Sequence, residues 1–173
     1  MTTVGVRAER DTWWALETPV GTMVLVGNEA ALHQVLLPGA AAEARPRLDR
    51  ALESRPPVLA EAEDQLRQYF AGERRAFDLP LDPAGTAFQR AAWFALEEIP
   101  FATTSTYAAQ AARLGRPSAV RAVGAANSRN PLPIVLACHR VIGSNGRLVG
   151  YAGGLGLKQW LLDHERRVDG EVQ

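Results

Sequence analysis

Residues 105–127 read STYAAQAARLGRPSAVRAVGAAN: two alanine-rich runs separated by Gly115-Arg116-Pro117. Ser105 is a side chain that can cap a helix, which predicts a helix from there to Leu114. Gly115 and Pro117 make a tight turn, and Ser118 opens a further helix to about Asn127. Helix, short glycine-containing turn, helix is the shape of a helix-turn-helix, although any helical hairpin looks alike at this level. On the later helix Val120 and Val123 face one way and can pack inward. Arg121, Gly124, Ala125 and Ser128 gather on the other side. Such a slim face suits the minor groove of DNA, where its single long side chain could replace a displaced base. The same small residues would serve close packing against another helix equally well.

Downstream, Asn130-Pro131-Leu132-Pro133 leads into the apolar run Ile134-Val135-Leu136-Ala137, which ends at Cys138-His139-Arg140-Val141. The run predicts a buried strand that delivers Cys138 beside a histidine. A thiol attacks only as thiolate, so it needs a base or an electropositive setting. His139 could take the proton directly or through a water, and a carboxylate such as Glu165 could fix its tautomer. Against this stands the ordinary role of a lone cysteine in an apolar run, which is packing. His33 and His164 read as half-exposed residues without catalytic work. Residues 143–146 form a polar turn, 147–151 a returning strand and 151–154 a close-approach loop. A final helix spans 157–165, with Trp160 and Leu161 turned to the core.

Upstream, residues 88–98 are amphipathic and helical, with Thr86 as cap. Asp82-Pro83-Ala84-Gly85 breaks the pattern and separates residues 1–82 from 83–173. The first part reads as a small antiparallel sheet, with strands at 12–18, 22–27 and 31–37. A helix at 41–52 is weakened by Pro46, a stronger one spans 58–71 with Gly72 ending it, and 77–81 alternates like a short strand.

The chain has 173 residues, 47% of them hydrophobic and 22% charged, the balance of a soluble globular protein. No signal peptide or membrane segment is legible, so an intracellular, cytoplasmic protein is expected. The one cysteine excludes an internal disulfide, and with three histidines it makes no zinc pattern. The formal net charge is zero, but the halves differ: residues 1–82 carry 9 basic and 13 acidic groups, a net of −4, and 83–173 carry 10 and 6, a net of +4. Between Glu98 and Asp163 no acidic residue occurs, while Arg113, Arg116, Arg121, Arg129, Arg140, Arg147 and Lys158 do. A phosphate-facing surface requires such a one-sign stretch, because each basic group displaces a condensed counterion.

Taken together, Asn130-Pro131-x-Pro133, Cys138-His139-Arg140-Val141, Tyr151-x-Gly153-Gly154 and Lys158-x-x-Leu161-Leu162-x-x-Glu165 resemble the O6-alkylguanine-DNA alkyltransferases. Gly85-Thr86-x-Phe88-Gln89, Ile99-Pro100, Ser105-x-Tyr107 and Arg121-Ala122-Val123-Gly124 match in order and spacing upstream. Many separated matches over roughly residues 80–167 make the resemblance specific. It implies an α+β fold: a small antiparallel-sheet, ribonuclease H-like N-terminal domain and a helical, winged helix-turn-helix C-terminal domain. It also implies a direct-reversal repair enzyme, a methylated-DNA–protein-cysteine S-methyltransferase. Such an enzyme moves the alkyl group of O6-alkylguanine, and of O4-alkylthymine, from duplex DNA to its own cysteine in one turnover after base flipping. Neither metal nor organic cofactor is implied, and the protein would be monomeric, with cooperative DNA binding left open.

Position by position, the resemblance makes Cys138 the alkyl acceptor, His139 its proton relay and Glu165 the partner of His139. Asn130 orders the turn before the cysteine. Tyr107, Arg121, Ala122, Gly124, Ala125, Arg140, Val141, Tyr151, Ala152 and Gly153 would meet DNA or the flipped base, with Arg121 as the finger that fills the stack. The family usually has proline where this chain has Ala137, and some relatives have serine at Ala152. Three rivals remain at this level: an alkyltransferase-like lesion sensor, which lacks the cysteine; a transcription factor, for which α-helical base readout needs more polar side chains; and a cysteine hydrolase indifferent to DNA.

Overall fold

The computed structural model describes residues 11–48 and 53–170, and the chain divides into two compact units, 1–83 and 84–173. The first unit is built on a three-stranded antiparallel sheet of β1 (Thr12–Thr18), β2 (Gly21–Gly27) and β3 (Leu32–Leu36), in the order β1-β2-β3. Gly21, at φ +119°, makes the first turn possible. β2 is buried on both faces. Val24 and Val26 pack with Ala41, Ala44 and Leu48 of α1 (Pro38–Leu48), while Met23 and Leu25 point the opposite way and are as deeply enclosed. Trp13 ties the sheet to α1 through Nε1–H donated to the Leu48 carbonyl at 2.8 Å. Pro46 is accommodated near the end of α1, and the expected continuation of this helix to Leu52 lies outside the described residues.

α2 (Pro57–Phe70) carries prolines at its start, where the missing N–H has no helical partner to lose. Residues 77–81 were expected to form a strand but make only a single bridge between Leu32 and Leu81. Pro80 has no N–H to offer a ladder, so the pairing stops at Leu32 N–H to Pro80 O and Asp82 N–H to Leu32 O.

The second unit opens with α3 (Ala87–Phe94), whose Thr86 and Gln89 form a reciprocal capping box. Gly85 precedes it because a Cβ there would lie 2.5 Å from the Trp93 ring. α4 (Tyr107–Arg113) is capped by Thr106, not by Ser105, since Thr106 Oγ1 accepts from Ala109 N–H at 3.0 Å. Ser105 and Thr106 instead form β4, parallel to β5 (Val141–Ile142). Gly115, at φ +69°, terminates α4, and α5 (Val120–Ser128) starts two residues later than expected because Pro117 and Ser118 are used in the turn. A reciprocal amide pair joins the two helices: Asn127 Nδ2 donates to Gln110 Oε1 at 2.7 Å, and Gln110 Nε2 to Asn127 Oδ1 at 3.1 Å.

The buried strand expected at 134–137 is absent; this stretch is a series of turns. Pro131 and Pro133 cannot donate to a ladder, and Asn130 takes over their neighbours, accepting from Leu132 N–H at 3.0 Å and donating to Leu136 O at 2.8 Å. Ile134 is forced to φ +74°, a strained position for a β-branched residue that only surrounding contacts can hold. The returning strand expected at 147–151 is likewise irregular, although the turn at 143–146 forms. α6 (Leu155–Gly170) extends the expected final helix at both ends. Among the described residues no helix is long and apolar enough to cross a membrane.

Candidate active site

Cys138 begins a single 3-10 turn, Cys138–Arg140, and is 6% exposed. Its aim is set by the residue before it. Ala137 adopts φ −77° and ψ 63°, and Cys138 N–H donates to Leu136 O at 2.8 Å, which is an inverse γ-turn. The turn places Cys138 in the wall of a cavity of about 260 Å³. Tyr107, Arg121, Gly124 and Tyr151 share that wall, as do Val120, Asn127, Ser128, Val149 and Gly150. Burial pushes the thiol pKa up; Asn130, the Lys158 charge and the backbone N–H groups of the turn offset this only in part.

The two residues after Cys138 belong to a buried polar cluster. His139 Nε2 is 2.7 Å from Glu165 Oε1, and neither side chain is exposed. Burial pushes the imidazole pKa down despite the adjoining carboxylate, so the ring is neutral. A proton on Nε2 satisfies the contact to Glu165 and leaves Nδ1 as an acceptor, which has no hydrogen-bond partner among the described residues. Glu165 collects further donors: Ala102 N–H at 3.0 Å to Oε2, and the Arg140 guanidinium through Nε and Nη2, each at 3.0 Å. Burial alone would raise this carboxyl, but His139 and Arg140 outweigh it and bring the pKa to about 2. Glu165 is therefore a fixed anion that orients two neighbours.

Two family models span the described chain: the ribonuclease-like domain of 6-O-methylguanine DNA methyltransferase matches residues 13–83, and the DNA-binding domain of the same enzyme matches 87–167. The chain belongs to the 6-O-methylguanine DNA methyltransferase family. A methylated-DNA–protein-cysteine methyltransferase of Methanosarcina acetivorans is 47% identical over 86% of this chain and 94% of its own length. The crystal structure of Mycobacterium tuberculosis O6-methylguanine methyltransferase superposes with a TM-score of 0.81 at 38% identity, covering 91% of this chain and 93% of that one. The M. tuberculosis OGT structure in complex with DNA gives 0.76 at 39% identity, covering 91% and 94%.

Of the residues that the methyltransferase motifs single out, the structure brings Cys138, Tyr107, Arg121, Gly124 and Tyr151 to one cavity, while Asn130, His139 and Glu165 are buried and do not line it. Ala122 and Ala125 are exposed on α5, and Ala152 and Gly153 are exposed beyond Tyr151, all outside the cavity wall. One expectation is corrected. Arg140 does not turn outward to DNA: it is buried on Glu165, donates to Ile99 O at 2.7 Å and lies over the Phe101 ring. Val141 has its side chain fully buried and its N–H engaged by Cys138 O, so any contact it makes to a base falls to its carbonyl. Val120, expected in the core, lines the cavity instead. Ser128, read from the sequence as part of the slim helix face, lines the cavity, whereas Asn127, Val149 and Gly150 were not singled out; an amide on an otherwise apolar helix face was a signal available at Asn127. Ala137 fits its γ-turn at a φ that the family's usual proline would also adopt.

Proposed function

We propose that this protein repairs duplex DNA by moving the alkyl group of O6-alkylguanine, and of O4-alkylthymine, onto Sγ of Cys138 in a single turnover. The observation that carries the reading is the thiol in a cavity wall shared with Tyr107 and Arg121, with the next residue, His139, held by Glu165 at 2.7 Å. The alkyl carbon sits inside the duplex, so the nucleotide must leave the stack to reach that cavity. Arg121, exposed on α5 and at the cavity wall, then fills the gap.

The thiol gives its proton to His139 Nδ1 through a bridging water, and the imidazolium so formed is stabilised by Glu165. The sulfur forms its bond to the alkyl carbon as the carbon–O6 bond breaks, and the electron pair of that bond passes to guanine. Guanine takes up a proton, the equivalent of the one released from sulfur, passed on from the imidazolium through solvent, while Tyr107 in the cavity wall contacts the flipped base. The thioether product has no leaving group that a base could expel, so the protein acts once.

A lesion sensor on the same fold would need no thiol in the cavity, which is why Cys138 favours transfer. Intact-mass measurement after incubation with methylated duplex decides between them. The wild type should gain one methyl group, and Cys138→Ala should gain none while still binding DNA. Binding by the wild type without any mass gain would establish the sensor instead.

A further inference from the structure

Lys158 has no part in the scheme above, yet its side chain is 0% exposed. It stands one turn into α6, where the helix dipole disfavours a cation, and burial pushes its ammonium pKa down. Among the described residues no carboxylate is paired with it. Its three N–H donors face three oxygens: Val149 O and Gly150 O at 3.3 Å each, and Tyr107 Oη at 3.4 Å. Tyr107 O–H itself donates to Val149 O at 2.7 Å.

These groups hold a segment that lies outside regular structure. Residues 147–151 belong to no strand, Gly150 is at φ +56°, and the Val149 side chain is 53% exposed, so apolar burial does not anchor it. Nevertheless Val149, Gly150 and Tyr151 form one side of the cavity. We propose that Lys158 is a positioning residue: its ammonium pins the 149–150 strap and the Tyr107 hydroxyl to each other, giving the cavity a fixed wall for the entering base. A buried cation that faces only two carbonyls and a hydroxyl is costly, and what that cost secures is a single conformation of the segment. The significance for catalysis rests on the alkyl-transfer reading; the pinning itself does not.

The test compares backbone order parameters of residues 148–151 in the DNA-free wild type and in Lys158→Met, which keeps length and removes the charge. The wild-type strap should be rigid, with values near ~0.85, and the variant's should fall toward ~0.6 or lower. Reaction with free O6-benzylguanine and with alkylated duplex should slow together, by about tenfold or more, since the wall serves the base and not the duplex. Lys158→Arg, which keeps charge and donors, should restore much of the order. Unchanged strap order in Lys158→Met overturns the proposal. Should that variant fail to fold, Tyr107→Phe decides: with Lys158 intact the strap should stay ordered, and a disordered strap would make Tyr107 the pin. Because order is read without DNA, failure of pinning is separable from failure of alkyl transfer, which the wild-type mass measurement reports.

Discussion

Ala137 is the residue at which this chain leaves the usual pattern of its family, and its geometry says what that change does. Its φ of −77° lies within the range of proline, and its N–H meets no backbone acceptor among the described residues. Ala137→Pro should therefore stabilise the protein by about 0.4–1 kcal/mol, by restricting the unfolded chain, while leaving the repair rate unchanged. Thermal unfolding checks this: a lowered midpoint would mean that Leu136 cannot take the extended backbone that proline demands of its predecessor. At this scale adjacency was legible and orientation was not. Cys138 and His139 announce themselves as neighbours in sequence. Arg140, one residue on, reads as a surface cation, and only the folded chain reveals that a 3-10 turn swings it onto Glu165. Lys158 misleads for the same reason, because nothing in an amphipathic helix marks one lysine as enclosed.

Among the elements, α5 bears the expected small-residue face. A Cβ on Gly124 would meet the Tyr107 ring at 3.8 Å, an ordinary contact, so alanine would fit there too. Arg121 stands exposed on the same helix. Arg121→Ala should slow repair of duplex by about tenfold or more, with little effect on free O6-benzylguanine, since the free base needs no extrusion. Equal slowing of both reactions would remove the finger role. Helices were read well from the sequence because capping and apolar spacing are local signals, as at Thr86 and in α2. The strands expected at 77–81, 134–137 and 147–151 failed because apolar composition was taken for pairing. Prolines at 80, 131 and 133 remove donors, and no partner strand stands beside residues 147–151.

For the molecule as a whole, the Glu165 cluster links stability to acidity. Its carboxyl pKa falls from 4.5 to about 2 in the folded chain. The unfolded chain thus binds this proton more readily, and the associated stability, on the order of 3 kcal/mol, is complete above about pH 4.5 and disappears as pH falls toward 2. Denaturant unfolding at pH 6 and pH 3 should show the wild type losing more stability on acidification than Glu165→Gln; equal losses would mean the carboxylate is not coupled to folding. The sheet-bearing unit and the helical unit were both recognisable from turn residues and periodicity. The depth of the cluster was not, since it depends on residues 102, 139, 140 and 165 converging from distant stretches of chain. The burial of Cys138 has one more consequence. On the proposed single-turnover reading, the thiol must survive until it meets its target. Kept uncharged and largely shielded, the sulfur offers peroxides and stray electrophiles in the cell a poor nucleophile, so its shelf life is extended by the same packing that makes it wait for a base.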